Sequence, residues 1–176
     1  MSKLNIVLFE PEIPSNTGNI GRSCISTNSS LHLIKPLGFS VDDKHLKRSG
    51  MDYWKNLDVH YYENFEEFAV KQESQQIFYV ETKGRILYSE VNYSPNAFIV
   101  FGKESTGIPE EILLKNKENC IRIPMDEKYR SLNLSSSVAI VLYEALRQND
   151  FKGLMLEGKL SKYDWDETKQ NPATLD

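Results

Sequence analysis

Cysteine is scarce: Cys24 and Cys120 are the two in 176 residues. They match no metal-ligand spacing, and with Cys24 on a helix face and Cys120 on a strand they do not suggest a disulfide scaffold. Each reads as a free, half-buried thiol. His32, His45 and His60 are scattered and fit no zinc motif, so no metal is expected. No apolar run approaches a membrane span, and Met1 to Phe9 has neither the basic start nor the cleavage site of an export signal, so the chain reads as cytoplasmic. Also missing is any G-x-G-x-x-G after a strand, which removes the common dinucleotide fingerprint and related Gly-rich loops. Gly102-Lys103 is not a Walker loop either. Ala97 stands where that motif needs a glycine, and Glu104 follows the lysine in place of Ser or Thr. No local Ser-His-Asp or Cys-His set points to nucleophilic hydrolysis.

Positive charge is not in surplus. The formal charge of −4 argues against a protein coated in nucleic-acid-binding charge. Docking on one folded RNA needs only a local basic face, and Lys44, Lys47, Arg48 and Lys55 gather around one short segment beside Tyr53 and Trp54. Aromatic and basic residues together can hold unstacked bases; a solvated helix with ordinary lysines and packed aromatics fits the same residues. Hydrophobic residues at 40% and charged residues at 26% suit one domain with a substantial core. We take that domain as residues 1–150, followed by a C-terminal tail, 151–176.

The chain is organised around Ile121 to Gln148. A short strand, Cys120 to Ile123, is stopped by Pro124 and leads through a charged loop into a long helix. Leu134, Val138, Val141, Leu142 and Ala145 recur near the 3.6-residue helical period. Ala139, Ile140 and Leu146 widen that apolar surface, so the helix is either central to the domain or shared with a second subunit. Ser131, Asn133, Ser135, Ser136 and Ser137 surround its start. Ordinary capping needs one such residue, so a polar pocket and a serine-rich cap both fit.

Upstream, Leu4 to Phe9 is a continuous apolar run, as in a strand covered on both faces of a parallel sheet. Pro11 and Pro14 end it. Asn16 to Arg22 then opens a helix carrying Ile20, Cys24 and Ile25, capped by Asn16 or Thr17, with Gly18 and Gly21 leaving room for a backbone or a ligand. Further strands are predicted at Leu31 to Ile34, Val59 to Tyr62, Ile77 to Val80 and Asn96 to Phe101. Asn64 caps a helix with Phe65, Phe68 and Ala69 inward, and Pro109 starts another with Glu110 and Glu111 set against its dipole. This alternation predicts an α/β fold, a mostly parallel sheet flanked by helices. Ligands bind such sheets at the carboxyl ends of their strands, so Val80, Gly102 and Ile123 should border one crevice.

Three blocks carry more information together than singly: N-T-G-N-I-G-R at Asn16 to Arg22, F-G-K-E-S-T-G-I-P at Phe101 to Pro109, and I-R-I-P followed by R-S-L-N-L-S-S-S-V-A at Arg130 to Ala139. In order and spacing they closely resemble the three motifs of the SPOUT methyltransferases, best the small TrmL/YibK type that modifies the ribose of the tRNA wobble nucleotide. The resemblance spans roughly Leu4 to Asn149. It implies an α/β fold with a deep C-terminal trefoil knot, S-adenosyl-L-methionine as methyl donor without a metal, and a homodimer whose active site draws on both subunits and receives the tRNA anticodon region. Carried over by position, it implies a cofactor pocket at Val80, Gly102, Ile123, Ser131 and Leu132, with Arg22, Glu104, Asn133 and Tyr143 at or near the catalytic site. Where many relatives have a hydroxyl residue after the cofactor-contacting strand, this chain has Glu81. Two rival readings remain: 2′-O-methylation of another tRNA or ribosomal site, and a knotted RNA-binding protein without catalysis. The central expectation is that Arg22, the Gly102 loop and the turn from Ser131 to Asn133 converge on one cavity.

Overall fold

The computed structural model describes residues 3–40 and 52–165. Lys44, His45, Lys47 and Arg48, the bulk of the basic segment, lie outside them. Seven strands form one sheet: β1 (Asn5–Phe9), β2 (Ser30–Ile34), β3 (Val59–Tyr62), β4 (Ile77–Val80), β5 (Ile86–Leu87), β6 (Phe98–Phe101) and β7 (Cys120–Arg122), in the order β3-β2-β1-β6-β4-β7-β5. Every pairing is parallel. Among the described residues four helices pack on it: α1 (Pro14–Ser26), α2 (Phe65–Lys71), α3 (Glu110–Lys115) and α4 (Leu134–Gln148).

Successive side chains of a strand point to opposite faces, and β1 shows what each face meets. Ile6 and Leu8 join a core with Ile20 and Cys24 of α1 and Val138, Val141, Leu142 and Ala145 of α4. Val7 and Phe9 join a second core with Phe68 of α2 and Leu113 of α3. A strand buried on both sides needs the uninterrupted apolar run seen in the sequence.

Several details depart from the sequence reading. Helix α1 begins at Pro14, with Ile13 at the capping position and no side-chain cap. Proline suits the first helical position because its missing N–H would have no partner there. Asn16 and Thr17 therefore lie within the first turn, buried, and do not cap the helix. Both cysteines are free and buried rather than half-buried, and burial pushes the Cys24 thiol up to about 12. Past α4, Phe151 and Leu154 fold back against the core. Among the described residues no helix is long and apolar enough to cross a membrane, and no cluster of His, Cys, Asp and Glu could hold a metal ion.

Strands β4 and β5 pair with opposite sides of β7. The link between them, residues 81–85, must therefore cross β7. The crossing is tight at Gly84, where a Cβ would stand 2.5 Å from the Ile121 carbonyl oxygen. Only a glycine lets the two backbones approach so closely.

Candidate active site

The carboxyl ends of β4, β6 and β7 open into a cavity of about 550 Å³. Val80 and Phe101 end two of its strands, Ile123 follows the third, and the loop 102–107 and the turn 130–134 close it. The loop folds tightly: Gly107 N donates to Lys103 O at 2.9 Å, and a Cβ on Gly102 would collide with the Gly107 and Ile108 backbone. Gly107 has φ +73°, a left-handed conformation that favours glycine.

A hydrogen-bonded chain joins three distant stretches at the cavity wall. The Glu104 carboxylate accepts from Glu12 N at 2.8 Å, Ile13 N at 3.3 Å and the Asn16 amide at 2.9 Å. It thereby sits at the positive end of α1. The Asn16 amide oxygen accepts from the Asn133 amide at 3.0 Å. Asn133 in turn caps α4, its oxygen accepting from Ser135 N at 2.9 Å and Ser136 N at 3.3 Å. Ser135 Oγ donates to the same oxygen at 2.7 Å, and Ser137 Oγ to the Asn133 carbonyl at 3.1 Å. Part of the serine surplus is thus spent on the cap, while Ser131 and Ser137 also face the cavity. Glu12 returns the contact by accepting from Ser105 N at 2.9 Å and Ser105 Oγ at 2.8 Å.

Glu81 also lines the cavity. One of its oxygens accepts from Ile108 N at 3.0 Å, and the other from Thr82 N at 2.7 Å and Thr82 Oγ1 at 3.1 Å. Two lysines of the lining are paired outward, Lys83 to Glu110 at 2.6 Å and Lys103 to Glu10 at 2.9 Å. Hydrogen bonding to these carboxylates raises the pKa of both lysines.

Of the residues singled out in the sequence, Val80, Gly102, Ile123, Ser131, Leu132, Glu104 and Asn133 border this one cavity. Arg22 and Tyr143 do not. Arg22 is exposed on α1, its guanidinium 5.5 Å from the centroid of the Tyr53 ring, and the Tyr53 hydroxyl donates to the Gly18 carbonyl. Burial raises the pKa of that phenol, against the lowering effect of Arg22. Trp54 packs against Gly21. Tyr143 is 51% exposed on α4, one turn from Ile140 at 37%. Sequence reasoning missed Asn16 and the contacts of Glu81. The available signal for Asn16 was a polar amide in a helix that Pro14 already starts; for Glu81 it was the charged residue itself.

A glycine loop and a capped helix start thus meet at the carboxyl ends of strands of a parallel sheet, and the class of protein follows from comparison with known families. A model of the SpoU rRNA Methylase family matches residues 3–143, and the chain belongs to that family. Within it, a Yersinia pestis tRNA (cytidine(34)-2'-O)-methyltransferase is 47% identical over 160 residues, 88% of this chain and 99% of that protein. A Listeria monocytogenes relative that carries the same name provisionally is 55% identical over 156 residues, 87% of this chain and 92% of its own. A solved structure described as giving insights into 2-OH methylation of C/U34 on tRNA superposes with a TM-score of 0.79 at 37% identity, covering 85% of this chain and 97% of that one.

Proposed function

We propose that this chain transfers a methyl group from S-adenosyl-L-methionine to the ribose 2′-hydroxyl of the tRNA wobble nucleotide, cytidine or a modified uridine, in the cytoplasm. The observation that carries the reading is similarity over 99% of the length of a relative named for this reaction. Such coverage leaves no room for a separate RNA-binding domain to account for that relative's substrate.

The cavity suits the methyl donor. Its volume lies within the roughly 300–1,000 Å³ of small-ligand sites, and glycine and aliphatic residues at the strand ends leave main-chain groups to read adenine and ribose. Val80, Gly102, Ile123, Ser131 and Leu132 would hold it. The sulfonium supplies an activated methyl group, so no metal is required. Glu104 and Asn133, tied together through Asn16, position the loop and the helix start that hold donor and acceptor in line, and positioning should account for much of the rate.

Arg22 takes the role of stabilising the alkoxide that develops on the ribose. Its guanidinium, with a pKa above about 12, is a poor base but a good electrostatic partner. Since Arg22 stands outside its own chain's cavity, the active site is completed by a second copy in a homodimer. The exposed Ile140 and Tyr143 on α4, beside α1, offer the apolar face for that pairing. The tight crossing of β7 at Gly84 favours a chain threaded as a deep trefoil knot, an exception to the near absence of knots.

The test is to map ribose methylation in tRNA from cells lacking this protein. The reading expects loss of the 2′-O-methyl group at the wobble position alone. The family description names rRNA, which favours a ribosomal 2′-hydroxyl as the second reading. Loss of a ribosomal methyl group with tRNA unchanged would decide for it.

A further inference from the structure

Glu81 lines the cavity, and the proposed reaction makes no use of its charge. It follows the end of β4 and is partly buried. Its hydrogen-bond partners are the Ile108 N–H and the N–H and hydroxyl of Thr82, all neutral donors. Of the three cations of the same wall, Lys83, Lys103 and Arg130, the two lysines are treated differently. Lys83 is neutralised by Glu110 and Lys103 by Glu10, neither carboxylate being part of the lining. Glu104, the other carboxylate of the lining, is turned to the start of α1. Glu81 therefore places a negative charge on the cavity wall that is in no ion pair among the described residues, its one cationic influence there being the weaker pull on Lys83, which is bound to Glu110.

The two forms of the cofactor differ in charge. S-adenosyl-L-methionine carries a sulfonium, and transfer of its methyl group leaves S-adenosyl-L-homocysteine, a neutral thioether of nearly the same shape. Shape and main-chain hydrogen bonds discriminate poorly between such a pair, whereas a fixed charge discriminates directly. A sphere of 550 Å³ is about 10 Å across, close to the Debye length of about 8 Å in physiological salt, and partly buried charges are screened less than exposed ones.

We propose that Glu81 is a specificity-determining residue of the donor pocket, whose carboxylate favours the cationic methyl donor over the neutral spent product and so promotes product release after transfer. This rests on the reading of the cavity as the donor site. Glu81 also latches the loop 102–108 to β4, so replacing it can weaken both ligands. The ratio of the two affinities separates charge from latch, because both ligands use the same loop.

The experiment is calorimetric titration of the full chain with S-adenosyl-L-methionine and with S-adenosyl-L-homocysteine, for the wild type, Glu81→Gln and Glu81→Thr. The second variant replaces the carboxylate with a smaller neutral hydroxyl side chain and guards against a fold specific to one substitution. The expected result is a fall of roughly three- to tenfold in the donor-to-product affinity ratio in each folded variant. A ratio within twofold of wild type, whatever happens to the absolute affinities, overturns the assignment and leaves Glu81 as a latch only. Failure of the wild type to bind either ligand would overturn the donor-site reading itself, and the charge assignment with it. That outcome is read in the wild-type titration and so is distinct from an unchanged ratio.

Discussion

Asn16 shows how much depends on single amides. It is buried; its NH2 donates to Glu104 and its oxygen accepts from Asn133, so one side chain ties α1 to the loop 102–107 and to the start of α4. Asn16→Ala should lower turnover more than tenfold while the protein stays folded. Asn16→Asp should be worse in both respects, because it sets a second carboxylate against Glu104. Steady-state rates and thermal melts of the two variants check this, and an Asp variant as active as Ala would contradict it. His32 carries a different consequence. It is buried between the Tyr62 hydroxyl at 2.9 Å and Asn5 Oδ1 at 3.1 Å, stacked on His60 at 4.5 Å. Burial, and secondarily the charge of His60, lowers its pKa to about 3 against an opposing pull from Asp58. The folded protein thus keeps His32 neutral while the unfolded chain protonates it near pH 6.5. Its contribution is fully present above pH 6.5 and is lost as pH falls toward 3, at up to about 1.4 kcal/mol per pH unit. Urea midpoints measured between pH 6.5 and 5, above the range of most carboxylates, should slope downward in the wild type and be flatter in His32→Gln. Equal slopes would show that His32 is not the responsible group.

Elements were legible in the sequence in proportion to the length of their pattern. The fifteen-residue α4 repeats its apolar positions over four turns, and β1 announces itself by an apolar run. The two-residue β5 has no pattern to read and exists because β7 offers an unpaired edge. The cap of α1 was read three or four residues late because Asn16 and Thr17 are good caps in isolation, while Pro14 starts the helix after Ile13 without a side-chain cap. Helix α2 was legible from its cap. Asn64 Oδ1 accepts from Glu67 N at 2.8 Å, and the Glu67 carboxylate reaches back to Glu63 N at 2.7 Å, much as in a capping box. Asn64→Ala should cost about 1 kcal/mol, read as a lower urea midpoint with catalysis at 25 °C unchanged. A loss of activity without a loss of stability would place this helix in the function, which its position away from the cavity does not support.

Across the whole molecule, the site is assembled from contacts that no local reading supplies. The bonds from Asn16 reach residues 88 and 117 positions away. Val80, Gly102 and Ile123 could be assigned together from strand ends and motif order, since a parallel sheet brings its carboxyl ends to one side. The direction in which Arg22 points could not, because a helix motif fixes position along the axis better than it fixes which neighbour the side chain meets. In the single chain Arg22 and Tyr143 stay outside the cavity, and the proposed homodimer would account for both. Ile140→Glu should therefore shift the protein toward monomer in sedimentation and abolish methyl transfer, with donor binding weakened less than turnover. A fully active monomer would contradict the shared site.

The most direct measurement combines the purified protein, S-adenosyl-L-methionine with an isotopically labelled methyl group, and tRNA isolated from cells that lack the protein. Nuclease digestion and mass spectrometry then locate the label. Label on the ribose 2′-oxygen of the wobble nucleotide is the predicted result; label on a base, on another nucleotide, or nowhere would contradict the account.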